Sequence, residues 1–288
     1  MRLRERGLKT LPTPSELKTL EDIEIKLLLE AVSLRYGYDF REYAFAPLRR
    51  SISAGMQGEG APTISAYQDR LLHDTSCMHR FLSWVGVSIS GMFREVETWR
   101  CLREEVIPLL RTFPSVRIWS VGCATGEEVY SLAIMLREEG LYARSTIFAT
   151  DMNEDALAIG RVGALPVERL NSYENDYLRS GGQSSLPNYF TSSGRVARLK
   201  RDLLRNVTWA QHNLVTDASF NEFHLIVCTN VLIYFRPSLQ QRAHRLFYES
   251  LVRSGFLALG QRESLIFAPE SSRYQDVRAG VSVFRKVR

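Results

Sequence analysis

The feature that most restricts the fold of this 288-residue chain is a regular exchange of short apolar runs with amphipathic ones, beginning after Arg117. "RIWSVG" has strand character, and "EEVYSLAIMLREEG" behind it places Val129, Leu132, Ala133 and Leu136 on one helical face. "STIFATD" is a second strand and "NEDALAIGRVGA" a second helix. "FHLIVCTN", "SLQQRAHRLFYESLV" and "GFLALG" continue the alternation, and "GVSVFRKV" closes the chain. Parallel strands need a crossover long enough to hold a helix, so this pattern predicts βαβ units. The expected fold class is α/β, a doubly wound sheet.

Upstream, from Leu20 to about Ser83, the periodicity is helical and no strand-like alternation appears. "IEIKLLLEAVSLRYG" predicts a helix with Ile23, Leu27, Leu28, Ala31 and Leu34 on its buried stripe and Gly37 as its C-terminal stop. The charges and two prolines of the first twenty residues read as a flexible lead-in. The expected organisation is a lead-in over 1–20, a helical domain over 21–90 and an α/β domain over 91–288.

Composition sets the outer limits. With 45% hydrophobic and 24% charged residues the chain reads as a soluble globular protein. No apolar run approaches the roughly 18 residues of a membrane span, so no membrane insertion is expected. The start, "MRLRERGLKT", has no apolar stretch behind its charges. The four cysteines (Cys77, Cys101, Cys123, Cys228) are scattered without metal-ligand spacing, which predicts free thiols, a reducing cytoplasm and no metal. The formal charge of +5 favours an acidic partner.

The chemistry concentrates in "SVGCATGEEVYSLAIML", residues 120–136. In a doubly wound sheet the ligand lies at the carboxyl ends of the strands, where Gly122 and Gly126 would allow close backbone approach. The spacing is G-x-x-x-G rather than the G-x-G-x-x-G of a dinucleotide site, and no Lys follows Gly126 as a phosphate loop requires. Glu127 and Glu128 open the next helix, where they would repel a pyrophosphate but suit a cation. Asp151 ends the second strand 25 residues after Gly126, the position from which an acid binds ribose hydroxyls. A ligand with a ribose, cationic groups and no phosphate fits best, and S-adenosyl-L-methionine is such a ligand.

Four segments then carry a resemblance: "RIWSVGCATGEEVYSLA", "FATDMNEDAL", the pair Asn213–Leu214 and "IVCTNVLIYF". With the helical N-terminal part and "GMFRE" at 91–95, they resemble the CheR-type chemotaxis-receptor methyltransferases. The resemblance implies a seven-stranded class I S-adenosylmethionine-dependent methyltransferase behind a small helical domain, with a small antiparallel β-subdomain inserted at about 186–212. It implies a reaction, methyl esterification of glutamates on bacterial chemoreceptors, with S-adenosyl-L-homocysteine as product. By position, Ser88, Ser90 and Arg94 would arch over the donor. Gly122, Glu128, Asp151 and Met152 would hold its methionyl and ribosyl parts, and Asn213, Leu214, Asn230 and Val231 would line the adenine and methionine side. Arg94 and Tyr234 would be the catalytic pair. The implied partner is the cytoplasmic helical bundle of a methyl-accepting chemoreceptor, met by a monomer without nucleic acid.

A glutamate carboxylate, with a pKa near 4.3, is already ionised at pH 7 and needs no general base. Catalysis then reduces to alignment, which agrees with the absence of a Ser/His/Asp or Cys/His constellation. Two departures from the family bear on the target. "LRRSISAGM" keeps Arg49 and Arg50 but carries Ser51, Ala54 and Gly55 where the family has arginines, and Gly55 weakens its helix by up to roughly 1 kcal/mol relative to Ala. "NYFTSSGRVARLK" leaves room only for a tight hairpin turn at Gly194, too short to fold over a bound receptor-tail pentapeptide. A basic cluster, Arg195, Arg198, Lys200, Arg201 and Arg205, follows that turn. Two competing readings are a nucleic-acid methyltransferase and a non-catalytic S-adenosylmethionine-binding signalling protein. The first usually carries prolines in the loop before its base-stacking aromatic, and "NVLIYF" has none before Tyr234.

Overall fold

The computed structural model describes residues 14–86 and 90–287, with side chains from residue 20 onward. Four helices come first: α1 (Pro14–Tyr36), α2 (Phe45–Gly58), α3 (Ile64–His73) and α4 (Thr75–Val85). Thr63 caps α3 by accepting from the Ala66 amide, and Asp74 caps α4 by accepting from Ser76, so one short break redirects the chain. Gly37 takes a φ of +77° and its amide donates to the Ser33 carbonyl, ending α1 as the sequence predicts.

The buried stripe of α1 differs from the expected one. Ile25, Leu28, Leu29 and Val32 pack on Phe40, Tyr67, Leu71 and Phe81, while Ile23, Leu27 and Leu34 are exposed at 48%, 56% and 80%. The helix is apolar on two opposite faces, so periodicity alone offered two equal stripes, and packing covers only one. Gly55 also has a packing role: a Cβ there would lie 2.5 Å from the Tyr67 hydroxyl and 3.2 Å from the Trp84 ring. The loss of helix propensity at Gly55 makes room for these two rings.

The second part opens with α5 (Val96–Cys101), a π-helical turn and α6 (Ile107–Leu110). The alternation then follows as β1 (Val116–Val121), α7 (Glu127–Glu138), β2 (Ser145–Asp151) and α8 (Glu154–Val162). Next come β3 (Ala164–Pro166), α9 (Val167–Arg179), β4 (Phe190–Ser193), β5 (Val196–Leu199) and β6 (Val207–Gln211). The chain ends with β7 (Phe223–Cys228), α10 (Pro237–Ser250), β8 (Leu251–Leu259), β9 (Tyr274–Asp276) and β10 (Val283–Lys286).

Seven strands form one sheet in the order β6-β2-β1-β7-β8-β10-β9. The pairs from β6 to β8 are parallel, and β10 runs antiparallel between β8 and β9. Strands covered on both faces read as continuous apolar runs, and every residue of β7 is buried. The strand order reverses between β1 and β7, which places a crevice at their carboxyl ends.

A separate three-stranded sheet has the order β3-β5-β4. The segment 186–212 supplies only two of its strands. The third, β3, comes earlier in the chain, and β6 is an edge of the main sheet. Ser193 pairs with Val196 across a two-residue turn whose first residue, Gly194, has a φ of +60°. Positive φ at the first central position is the hairpin-compatible requirement that glycine meets without strain.

Candidate functional site

After β1 the chain turns through Gly122 (φ +64°), Ala124 (φ +47°) and Gly126 (φ +91°) before α7 begins. Asp151, at the end of β2, accepts from the Ala124 amide (2.9 Å) through Oδ2 and from the Asn153 amide (2.9 Å) through Oδ1. Burial pushes its carboxyl above the usual range, and these N–H bonds pull it back. The first turn of α7 presents Glu128, whose two oxygens accept from Ser120 Oγ (2.8 Å) and Thr229 Oγ1 (2.6 Å). Burial raises the Glu128 pKa to about 7 against those bonds.

The other two members of the opening motif serve the fold. Gly126 lies outside the cavity: a Cβ there would stand 2.7 Å from the Trp209 ring and 3.2 Å from Gly160. Its freedom admits α8 and β6, not a ligand. Glu127 is buried and turned aside to Arg169 (3.0 Å) and Thr125 (2.6 Å), so only Glu128 of the acidic pair faces the crevice. Gly122 does line the crevice, and a Cβ there would meet Val231 at 2.5 Å.

Glu263, just after β8, holds the opposite rim. Its carboxylate accepts from four main-chain amides, those of Gly260 (2.8 Å), Asn230 (3.1 Å), Val231 (2.8 Å) and Leu232 (2.7 Å). This fixes Asn230 at φ +62°. The Asn230 side chain donates to Glu95 (3.0 Å), whose other oxygen accepts from the Gln261 amide (3.0 Å). The segment containing "GMFRE" is thereby latched to the strand ends. Its backbone is further held by Phe93 N to Ser131 Oγ (2.9 Å) and by Trp99 Nε1 to the Arg94 carbonyl (2.7 Å). Among the described residues, five non-glycine residues have positive φ; Glu95, Ala124 and Asn230 line this crevice, and Phe93 lies two residues before Glu95 in the same latched segment. Strain of this kind, of order 1–3 kcal/mol per residue, persists where surrounding bonds over-determine the chain.

The crevice comprises two connected cavities that share Gly122, Ala124, Asn230 and Tyr234. The inner cavity is walled by Asp151, Met152, Asn213, Leu214 and Val231, with Tyr43 and Gly86 closing it from the helical domain. The outer cavity, about 440 Å³, is lined by Ser90, Arg94, Glu128, Tyr234, Arg262 and Glu263 among others. Burial raises the Tyr234 hydroxyl, and Arg94 nearby draws it back. The structure thus gathers Ser90, Arg94, Gly122, Glu128, Asp151, Met152, Asn213, Leu214, Asn230, Val231 and Tyr234 around one crevice. Ser88 lies outside the described residues.

Sequence reasoning missed Tyr43, Glu95, Arg262 and Glu263. An acid three residues after Gly260, which follows β8, in "GQRES", is the available signal for Glu263. Tyr43 offers no signal, because its role depends on how two distant segments meet.

S-adenosylmethionine fits this crevice. A carboxylate anchored at the end of β2 suits ribose hydroxyls, apolar Met152, Leu214 and Val231 suit a purine, and Glu128 suits a cationic tail. A phosphate would meet carboxylates at both ends. Among the described residues, no cluster of His, Cys, Asp and Glu could hold a metal ion, and no helix is long and apolar enough to cross a membrane.

Comparisons with known proteins agree with this geometry. Residues 88–280 match the CheR methyltransferase, SAM binding domain, and residues 23–83 match the CheR methyltransferase, all-alpha domain. The Pseudomonas putida protein Cher3 is 44% identical over 92% of this chain and 97% of its own length. A chemotaxis protein methyltransferase of Listeria innocua is 30% identical over 80% of this chain and 86% of its own. One of Listeria monocytogenes is 28% identical over the same shares, 80% and 86%. The fold, the crevice and these matches lead to one conclusion: the chain belongs to the CheR methyltransferase family and is an S-adenosylmethionine-dependent methyltransferase.

Proposed function

We propose that this enzyme forms methyl esters on glutamate side chains of a bacterial chemoreceptor, as part of chemotactic signalling. The observation that carries the reading is the junction of the two cavities, where Tyr234 belongs to both and exposed Arg94 lines the outer one. An acceptor entering from the outer cavity meets a guanidinium before it meets the donor. That favours an acceptor that is already an anion. Bound S-adenosylmethionine supplies a methyl group activated by its sulfonium. The residues present then have to bind, orient and exclude water. Arg94 offers a planar fork to a carboxylate, and the latched main chain around it fixes where that fork begins. Tyr234, held by its own amide to the Val231 carbonyl (3.2 Å), lines both cavities where they meet. Asp151, Met152, Asn213 and Leu214 hold the adenosine part, and Glu128 with Asn230 and Val231 holds the methionyl part. An arginine that held the acceptor too firmly would stabilise the ground state and slow attack, so its contribution is placement.

The acceptor protein is the cytoplasmic helical bundle of a receptor, approached by exposed basic surfaces. Arg50 on α2 is exposed, as are Arg195, Arg198, Lys200, Arg201 and Arg205. The two-residue turn at Gly194 supports docking on the bundle rather than on a receptor-tail pentapeptide, because it leaves no loop to fold over a peptide. The test is transfer of tritiated methyl from S-adenosylmethionine in three parallel reactions, with receptor cytoplasmic fragments, with RNA and without acceptor. Label on the receptor fragment alone is expected. Label on RNA would replace this reading with nucleic-acid methylation, and donor binding without transfer to any acceptor would point to a signalling role.

A further inference from the structure

The helical domain does more than precede the donor site. Tyr43 lies in the turn between α1 and α2, yet its ring lines the inner cavity beside Asp151, Met152 and Asn153. Its hydroxyl stands 3.9 Å from Met152 Sδ, and burial together with Asp151 keeps its pKa far above the ordinary value. The ring packs on Phe235 at 5.0 Å between centroids and edge-on to Phe40 at 5.1 Å. It is clamped between the helical core and the loop that follows β7.

The main chain repeats the connection. Tyr43 and Phe235 form an antiparallel bridge, the Ala44 amide donates to the Tyr234 carbonyl (2.7 Å), and the Arg236 amide donates to the Glu42 carbonyl (2.8 Å). Ser238 Oγ adds a bond to Glu42 (2.6 Å). Two more bonds cross nearby, from Gln211 Nε2 to Tyr38 OH (3.0 Å) and from Asn153 Nδ2 to Ser83 Oγ (3.4 Å). α2, which carries exposed Arg50, begins one residue after Ala44.

We infer that Tyr43 is a positioning residue for the methyl donor, and that the Glu42–Ala44 clasp ties the wall it forms to Tyr234 at the transfer end. The inference rests on the reading of the crevice as the donor site. Its physical content is specific. Removing the ring opens the wall against Met152 and takes away its packing on Phe235, next to Tyr234. A protein that engages α2 displaces or steadies the same clasp. Donor binding and acceptor docking are therefore linked, and linkage is reciprocal: whichever ligand orders the clasp raises the affinity for the other.

The experiment uses the full chain and S-adenosylhomocysteine as probe. Calorimetry of the unaltered protein first establishes binding; its absence would overturn the donor-site reading itself. Hydrogen exchange is then followed with and without the probe. Slower exchange at the amides of Ala44 and Arg236 is the expected result. Protection confined to the ends of β1 and β2, with residues 40–46 unchanged, would overturn the inference while leaving the donor site intact.

Variants sharpen it. Tyr43→Phe keeps the ring and should bind the probe within about 3-fold of the parent, whereas Tyr43→Ala should weaken binding about 10-fold or more, as loss of a packed aromatic wall implies. Leu71→Ala, deep in the helical core and away from the cavity, controls for general loosening of that domain. If it weakens the probe as much as Tyr43→Ala does, Tyr43 has no positioning role.

Discussion

At the inner end of the crevice, Asp151 is held by two main-chain amides, Leu214 is buried and Gly122 is pinned beneath Val231. At the outer end, Arg94 and Arg262 are exposed, and α2 and the three-stranded sheet present exposed arginines. The difference has a physical source. A small ligand with one shape rewards groups fixed before it arrives, since their ordering cost is met on folding. The exposed arginines of the outer end are long cationic forks that lose side-chain freedom only on contact. The inner end is therefore fixed before a ligand arrives, and the outer end keeps side chains that can adjust on contact.

Breaking the outer end should have the largest effect on turnover. Arg94→Ala should lower kcat by about 100-fold, the cost of misplacing a reacting group. Its donor affinity, measured by calorimetry, should move less than about 3-fold. Equal losses in both would make Arg94 part of the donor end and erase the distinction. At the inner end, Asp151→Ala should weaken S-adenosylhomocysteine by about 1.5–3 kcal/mol through loss of charge-assisted bonds. Unchanged affinity in a folded variant would remove Asp151 from ribose binding.

A smaller effect follows from Glu128. Its folded pKa of about 7 lies above the ordinary carboxyl value, so in the free protein this group is largely protonated at pH 6 and ionised at pH 8. A cationic donor favours the ionised form, so binding should release protons and weaken by about 10-fold between pH 8 and pH 6. The sign for folding is opposite: the raised pKa means the free protein loses stability from this group as pH rises toward and through 7. Glu128→Gln should flatten the binding profile, and calorimetry in buffers of different ionisation enthalpy would count the protons. The smallest expected effect concerns the three-stranded sheet. A receptor-tail pentapeptide should give no saturable isotherm, and a low-micromolar one would move acceptor recognition from the basic surfaces to that sheet.

The same division governs what the sequence made legible. β1, α7, β2, β7 and α10 follow from alternating patterns, because a parallel sheet buries its strands on both faces. Gly122, Glu128 and Asp151 follow from their places at strand and helix ends. Tyr43, Glu95, Arg262 and Glu263 do not, since each acts through a segment far away in the chain: Glu95 reaches Asn230 and Gln261, and Tyr43 reaches Met152 and Phe235. The exposed strands are also weakly signalled. β6 and β9 are edge strands, and the main sheet takes β6, which the resemblance places within the inserted subdomain. In α1 the pattern was strong but doubled, with two apolar faces and one core. Gly126 shows the reverse error, a true motif residue whose reason is Trp209 rather than a ligand.

An outer end that receives a carboxylate makes an ester, and the stability of the new bond tests that proposal most directly. The chain is incubated with methyl-labelled S-adenosylmethionine and a purified receptor cytoplasmic fragment, and the product is then brought to strongly alkaline pH. A glutamate methyl ester releases its label as volatile methanol, and mass spectrometry before the alkali should place the added methyl on glutamate side chains. Label that stays with the fragment after alkali, as a methyl on nitrogen would, contradicts the account.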